Sequence, residues 1–286
     1  ERAAAVGGGG GHLPKGDGGA GRGDQVASSA VGGAPLSDSE LRAAALPLIQ
    51  TGRETAPASW NQSQLLTVHM VDPASAAYND GLTLRLEGPV SKPLLSTALT
   101  IIVNRHAILR TSYDVSDGDG AFTQHVQAIA GSNDPLRRMY ASTEQTALGL
   151  LNKDLKMPFT LLGSTGLPLR CMLMRLHDTS HYLRVTIHHV AMDGASLSLL
   201  QNELPVLYRL NAGSIAGNAM SDSDLPPLPV QYIDYALWQR EVVCNPEHES
   251  SRSYWRCTLR GGDVAPLELP LDFHRPVVQT FAGDAV

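Results

Sequence analysis

The sequence of 286 residues predicts an α/β fold, because segments with strand periodicity alternate with segments of helical periodicity. Residues 82–86 alternate apolar and polar side chains, which is typical of a half-buried strand. Residues 91–110 instead carry apolar side chains at helical spacing. Two strand-like segments, 167–176 and 181–187, then precede a leucine-rich helical segment. The low aromatic content of 5% is ordinary for an α/β protein.

The first 36 residues have the composition of a flexible linker. They are rich in glycine, including the run from Gly7 to Gly11, with alanine and serine between the glycines. Such a segment buries too little apolar surface to offset its chain entropy. We predict that order begins at Ser37, because Ser37 and Glu40 have the spacing of a helix-capping box.

The elements of the first half follow from local turn and cap signals. The Asn-Asp-Gly sequence at residues 79–81 predicts a turn before the strand at 82–86. The next helix is predicted to have Ser91 as its cap and Pro93 in its first turn. The Asp-Gly-Asp-Gly sequence at 117–120 predicts a loop between two strands.

The central segment predicts a strand pair that leads into a helix. Residues 177–180 form the predicted turn, after which successive side chains point to opposite faces of the second strand. One face carries Leu183, Val185 and Ile187, and the other Tyr182, Arg184 and Thr186. The helix is predicted to begin near Ala195, with an apolar side formed by Leu197, Leu199, Leu200, Leu204 and Leu207.

Charge and cysteine content exclude several classes of function. The net charge is −6, with 22 basic residues scattered along the chain, which argues against a nucleic-acid partner. Cys171, Cys244 and Cys257 have no CxxC spacing, so neither a disulfide framework nor a zinc site is predicted. The apolar segments are far shorter than the ~20 residues that span a bilayer. No signal peptide is evident, and we predict a cytoplasmic protein without a membrane partner.

The predicted strand-to-helix loop holds the residues best suited to chemistry, His188, His189, Asp193 and Gly194. An unperturbed imidazole has a pKa near ~6.5 and accepts protons at neutral pH. Neighbours in extended backbone point apart, so one histidine can face a cleft while the other packs inward. The aspartate could orient the loop, and the glycine amide at the helix start could donate to an oxyanion. Spacing alone leaves catalytic and structural interpretations open, whereas the absence of an HExxH pattern disfavours a metal.

These residues resemble the HHxxxDG motif of nonribosomal peptide synthetase condensation domains and their acyltransferase relatives. Segments 105–111 (RHAILRT) and 232–239 (YIDYALWQ) are similar to the family's RHExLRT and YxDFAxWQ segments. Ser59 and Gln62 fit its opening SxxQ pattern, and residues 254–276 resemble its closing passage. Two departures are Ala107 in place of the usual glutamate and Leu66 in place of a tryptophan. Together the similar segments cover about residues 56–283.

The resemblance implies a chloramphenicol-acetyltransferase-like fold, in which the histidine loop lies at the junction of two α/β lobes. It implies His189 and Gly194 as catalytic residues. It implies structural roles at the active site for His188, Asp193, Arg110 and His106, with Asp193 held by an arginine for which Arg105 and Arg110 are candidates. Tyr232, Trp238 and Trp255 are predicted to be core aromatics. No directly bound cofactor or metal is expected.

The resemblance also implies a domain division and a set of partners. Residues 1–36 would be the linker, 37–220 the N-terminal lobe with the histidine loop, and 221–286 a crossing segment and the incomplete start of the second lobe. Upstream and downstream carrier proteins would present substrates on phosphopantetheine, beside adenylation or polyketide synthase domains of the same parent chain. The implied reaction forms an amide or ester bond.

Two alternatives remain at this stage. One is a truncated, non-catalytic domain that only docks carrier proteins, and the other is a free-standing CoA-dependent acyltransferase. A carrier or adenylation sequence next to this chain in its parent would distinguish a domain of a synthetase from a free-standing acyltransferase, whereas intact His189 and Asp193 favour a catalytic domain over a truncated docking domain.

Overall fold

The computed structural model describes residues 47–128, 135–163, 166–213, 225–259, 267 and 269–274. The predicted linker at 1–36 and the predicted helix at Ser37 lie outside the described residues, and so do residues 221–224 of the predicted crossing segment and the segment 275–286.

The described part of the chain contains both strands and helices. The strands are β1 (Thr55–Pro57), β2 (Asn79–Glu87), β3 (Thr111–Val115), β4 (Phe122–Val126), β5 (Leu136–Tyr140), β6 (Leu169–His177) and β7 (Ser180–His188). The helices are α1 (Trp60–Val71), α2 (Lys92–Arg105), α3 (Glu144–Leu155), α4 (Gly194–Gly213), α5 (Tyr232–Cys244) and α6 (Glu249–Thr258). Short 3-10 turns cover Ala107–Arg110, His189–Ala191 and Pro246–His248.

The strands form a four-stranded sheet of order β2-β7-β6-β5 and a three-stranded sheet of order β1-β4-β3. Only β5 and β6 pair in parallel among the described ladders. The hairpins β6-β7 and β3-β4 appear where the sequence predicts them, the second around the loop at 117–120. The histidine pair therefore lies at the end of β7, between its neighbours β2 and β6.

Helices α2 and α4 pack together on one face of the four-stranded sheet. Their buried side chains, among them Leu99, Ile102 and Leu204, join Leu183 and Val185 of β7 in the main core. Each fully buried aliphatic side chain of this kind contributes about 1.5–3 kcal/mol. The opposite face of the sheet carries a second, smaller cluster in which α3 packs against the sheet. The predicted α/β fold is confirmed, and the structure adds that every residue of β7 is buried.

Helix α2 is shorter than predicted. It begins after Ser91, whose side chain makes no capping hydrogen bond, and it ends at Arg105 rather than at Arg110. His106 has extended backbone angles, φ −98° and ψ 91°, and a 3-10 turn follows it. The break has a physical reason, because the freed amide of Ala107 donates to the side chain of Gln231 at 3.0 Å.

The predicted turn at residues 79–81 is wrong, because these residues open strand β2. Asn79 pairs with His188, and its side-chain amide donates to the carbonyl oxygens of Leu155 and Met157 at 2.8 and 2.6 Å. The backbone of β7 passes so close to Gly81 that a Cβ atom there would lie 2.0 Å from the carbonyl oxygen of Val185. The glycine thus permits close strand pairing rather than a turn.

Two predicted core side chains are exposed. Leu199, assigned to the apolar side of α4, is 52% exposed, and Trp255 of α6 is 57% exposed. Helix α6 has no buried side chain, so its aromatic residues do not form a core within the described part of the chain. Tyr232 and Trp238 of α5 are half-buried.

Candidate active site

Backbone hydrogen bonds from both neighbours hold the two histidines in place. The amide of His188 donates to the carbonyl of Pro168 at 3.0 Å, just before β6. The amide of His189 donates to the carbonyl of Tyr78 at 2.8 Å, just before β2. After one 3-10 turn the chain enters helix α4 at Gly194. The loop is therefore anchored to the sheet at one end and to a helix at the other.

The imidazole of His188 points into the protein. The residue is 4% exposed, and the rings of His69, Tyr78 and Phe159 lie 6.1–6.2 Å from its ring centroid. Its Nδ1 accepts the amide hydrogen of Val190 at 3.0 Å. Burial lowers the pKa of His188 to about 4, and the nearby His69 and His189 add to the effect. At neutral pH His188 is thus uncharged, with its hydrogen on Nε2, which suits a structural role.

The imidazole of His189 points outward, and 40% of it is exposed. Its Nε2 lies 3.7 Å from a carboxylate oxygen of Asp80 on strand β2. The opposite orientations of the two histidines agree with the extended backbone that the sequence predicts at this point. His189 is therefore the member of the pair that a substrate can reach.

Asp193 caps the helix that follows the loop. Its carboxylate accepts hydrogen bonds from the amide and the hydroxyl of Ser196 at 2.9 and 2.7 Å, and its carbonyl accepts from Leu197 at 3.3 Å. The bonds from Ser196 hold the pKa of the carboxyl below its ordinary value. Within the described residues Asp193 has no arginine partner, so neither Arg105 nor Arg110 forms the expected ion pair there. An N-cap carboxylate satisfies helix amides that otherwise lack partners.

Gly194 occupies the first position of helix α4. A Cβ atom built on it would have no neighbour within 4 Å, so space above the helix start is open. The amide at this position belongs to the group of helix donors without an intrahelical partner. Its assignment as an oxyanion donor stays a prediction.

The two arginines that were expected to pair with Asp193 contact other residues. Glu203 of α4, which is 8% exposed, accepts from Nε of Arg105 at 3.1 Å and from Nε2 of His106 at 2.7 Å. Arg105 also donates to the carbonyl of Pro226. Arg110 donates to the carbonyl of Gln127, and burial lowers its pKa. His106 and Arg110 thus connect neighbouring segments of the fold and do not contact His189.

Other segments that the sequence singled out also have structural contacts. Ser59 and Gln62 form a capping box at the start of α1. The hydroxyl groups of Ser59 and Tyr232 lie 3.0 Å apart, and the amide of Gln62 donates to Tyr113 at 3.1 Å. These bonds connect α1 to α5 and β3, so the SxxQ pattern joins elements around the core.

Sequence reasoning missed three residues next to the site, Asp80, His69 and Glu203. A glutamate between apolar residues of α4 was a detectable signal, since a charge on a buried helix face needs a partner. His69 lies on the buried side of α1, three residues after Leu66. Asp80 had no local signal, because only the pairing of β2 with β7 brings it to His189.

The described residues hold neither a metal-binding cluster nor a helix that could cross a membrane. No group of three or more His, Cys, Asp or Glu side chains is arranged to hold a metal ion in that part of the chain. Among the described helices, none has both the length and the apolar character that a bilayer crossing requires.

Comparison with known proteins gives consistent matches. Residues 53–286 match the sequence profile of the family described as Condensation domain. The phosphinothricin tripeptide synthetase PhsC of Streptomyces viridochromogenes is 34% identical over 266 residues, covering 87% of this chain and 23% of that protein. The bassianolide nonribosomal cyclodepsipeptide synthetase of Beauveria bassiana is 32% identical over 252 residues, covering 87% of this chain and 7% of that protein.

Solved structures show the same fold. The X-domain in complex with OxyB from teicoplanin biosynthesis matches with a TM-score of 0.69 and 28% identity, over 82% of this chain and 50% of that chain. The starter condensation domain of rhizomide synthetase RzmA matches with a TM-score of 0.59 at 17% identity, over 73% of this chain and 48% of that chain. This chain therefore spans about half of these solved chains and a smaller share of the curated synthetases.

Proposed function

The chain belongs to the condensation domain family, and from this premise we propose that it carries the bond-forming site of a nonribosomal peptide synthetase or a hybrid polyketide–peptide synthetase. The observation that supports the proposal most directly is the exposed imidazole of His189 beside the buried, uncharged His188, at the junction of strand β7 and helix α4.

The proposed reaction joins two substrates held as phosphopantetheine thioesters on carrier proteins. The acceptor nitrogen attacks the donor carbonyl carbon, the C–N bond forms and the C–S bond breaks. His189 takes a proton from the attacking amine and returns it to the leaving thiolate, so the imidazole is regenerated. General-base assistance of this kind is worth roughly 10²–10⁴-fold in rate. An acceptor hydroxyl would give an ester by the same steps.

Gly194 is the proposed donor to the oxyanion that develops on the donor carbonyl. Its amide lies in the first turn of α4, where the helix dipole is positive and the backbone amides lack intrahelical partners. The open space above Gly194 leaves room for a substrate atom to approach. Donors of this kind contribute about 3–4 kcal/mol of transition-state stabilisation.

The other residues of the motif segments would hold this arrangement. His188 fixes the loop through its bond to Val190, and Asp193 fixes the helix start through Ser196. His106 joins α2 to α4 through Glu203, and Arg110 holds the carbonyl of Gln127. The proposal assigns positioning to these residues and proton transfer to His189.

The proposed partners are an upstream and a downstream carrier protein, together with adenylation or polyketide synthase domains of the parent chain. The names of the matched synthetases support this setting. The proposal needs no directly bound cofactor, since the phosphopantetheine arms belong to the carriers. We also propose a cytoplasmic location, because the three cysteines lack the spacing of a disulfide framework.

The test measures bond formation between two loaded carriers by the parent synthetase that contains this chain. We expect His189→Ala to lower turnover by at least ~10²-fold, as loss of a general base requires. The matched control is His177→Ala, which removes an exposed histidine at the far end of β6. Unchanged turnover in His189→Ala would overturn the proposal. Product formed from an acyl-CoA without any carrier would favour a free-standing acyltransferase instead.

A further inference from the structure

Strand β2 places a carboxylate beside the imidazole of His189. Asp80 pairs with Ile187 in the antiparallel ladder, and His189 follows Ile187 by two residues. His189 lies just beyond β7, but the backbone of His188 is still extended (φ −78°, ψ 141°), so Ile187 and His189 point to the same side and His189 is a diagonal neighbour of Asp80. The distance of 3.7 Å between Asp80 Oδ2 and His189 Nε2 agrees with this register.

The backbone fixes both the register of β2 against β7 and the orientation of the Asp80 carboxylate. The close approach of β7 to Gly81 leaves no room for a side chain, so the two strands are locked together next to Asp80. Oδ1 of Asp80 accepts the amide hydrogen of Gly81 at 2.6 Å, which leaves Oδ2 directed at His189. The carboxylate is therefore held in place before any substrate binds.

We propose that Asp80 is a positioning residue for His189, an inference that depends on the proposed function. The carboxylate 3.7 Å from Nε2 limits the orientations of the exposed ring and so holds the imidazole in place to accept the proton of the attacking amine. When His189 has taken that proton, the negative charge at 3.7 Å stabilises the imidazolium. The proton then passes to the leaving thiolate.

The exposure of the pair limits the size of the effect. Asp80 is 47% and His189 40% exposed, so water screens their attraction in the absence of substrate. Bound substrates exclude part of this water and strengthen the interaction. We expect Asp80→Asn to lower kcat by roughly five- to twentyfold, with KM changed less than about twofold, because the effect arises after substrate binding.

The test uses the parent synthetase with two loaded carriers and compares kcat and KM among variants. Asp80→Asn keeps an oxygen for the bond from Gly81, and Asp80→Glu restores the charge and is expected to recover part of kcat. Glu87→Gln removes a charge from the exposed far end of the same strand, where Glu87 pairs with Arg85, and is expected to match the wild type. In a His189→Ala background, Asp80→Asn is expected to cause no further loss, since a positioning residue acts through its partner.

The outcomes separate this inference from the proposed function. Wild-type kcat in Asp80→Asn, or the same fold-loss with and without His189, would overturn the positioning role while a large loss in His189→Ala still supported the proposed function. Wild-type turnover in His189→Ala would overturn the proposed function and this inference with it. A loss in Asp80→Asn that disappears in the His189→Ala background supports both.

Discussion

The imidazoles of His188 and His189 occupy opposite environments although the residues are adjacent in the chain. His188 is 4% exposed and surrounded by aromatic rings, whereas 40% of the His189 side chain faces solvent. The difference follows from extended backbone at the end of β7, where successive side chains point to opposite sides. One histidine can therefore hold the loop while the other stays available for proton transfer.

We predict that the buried histidine makes stability depend on pH. The pKa of His188 is about 4 in the folded protein against 6.5 for the free side chain, because burial disfavours the charged form. Between these values the unfolded chain binds more protons, so the free energy of unfolding falls as pH decreases from 6.5 towards 4. The loss is absent above about pH 6.5 and complete below about pH 4, where a pKa difference of this size corresponds to about 3–4 kcal/mol.

Urea unfolding at pH 7.5 and pH 5 measures this effect. We expect His188→Asn, which keeps an acceptor for the amide of Val190, to show a smaller loss of stability between the two values than the wild type. His177→Asn is the control, since His177 is exposed and its replacement should leave the pH dependence unchanged. Equal pH dependence in His188→Asn and the wild type would contradict the burial argument.

We predict that Asp193 contributes to stability through helix α4. Asp193→Ala removes the acceptor for two hydrogen bonds from Ser196 and should lower the free energy of unfolding by about 1 kcal/mol, a usual cost for loss of an N-cap. Asp193→Asn keeps a capping oxygen and should lose less, since asparagine is a comparable N-cap. Thermal unfolding of both variants measures the difference, and equal losses would show that charge rather than capping matters.

The sequence predicts most strands and helices, and the opposite orientations of the two histidines, because these depend on local periodicity. It predicts the partner of Asp193 poorly. The carboxylate can accept hydrogen bonds as the N-cap of α4, as it does from Ser196, or it can pair with an arginine, and local sequence does not distinguish these two arrangements. The turn predicted at residues 79–81 fails for a related reason. Asn-Asp-Gly is a strong local turn signal, yet pairing with β7 and close strand contact at Gly81 decide the conformation.

The motif segments outside the loop make contacts between elements that are distant in the sequence. Arg105 and His106 come together at Glu203, and Ser59 at Tyr232, over long separations in the chain. No periodicity reveals such pairs, since each contact depends on how two distant elements pack. This is also why Asp80, which reaches His189 only through strand pairing, was not among the predicted site residues.

We predict that Glu203 is a main contributor to the packing of α4 on α2. Glu203→Gln removes the charge that faces the buried guanidinium of Arg105, and breaking a buried pair in this way costs about 3 kcal/mol. Glu241→Gln on α5 is the matched control, because Glu241 is exposed and its replacement should change stability by less than about 0.5 kcal/mol. Urea unfolding of the two variants checks the prediction, which would be wrong if their midpoints agreed.

The last prediction concerns the glycine that brings β2 against β7. Gly81→Ala places a Cβ atom 2.0 Å from the carbonyl oxygen of Val185 and 3.0 Å from the Cα of Thr186. Both are backbone atoms, so the strands must separate, and we expect a loss of at least about 2 kcal/mol. Gly149→Ala in helix α3 is the control, since a Cβ there meets nothing within 4 Å.

Alanine in that exposed helix should stabilise the protein by about 0.5–1 kcal/mol, because it loses less backbone entropy than glycine. The two Gly→Ala changes should therefore move the unfolding midpoint in urea in opposite directions. A shift of the same sign and size in both would mean that the strands can separate at Gly81 without cost. In that case the close approach of β2 and β7 would not fix the register that brings Asp80 to His189.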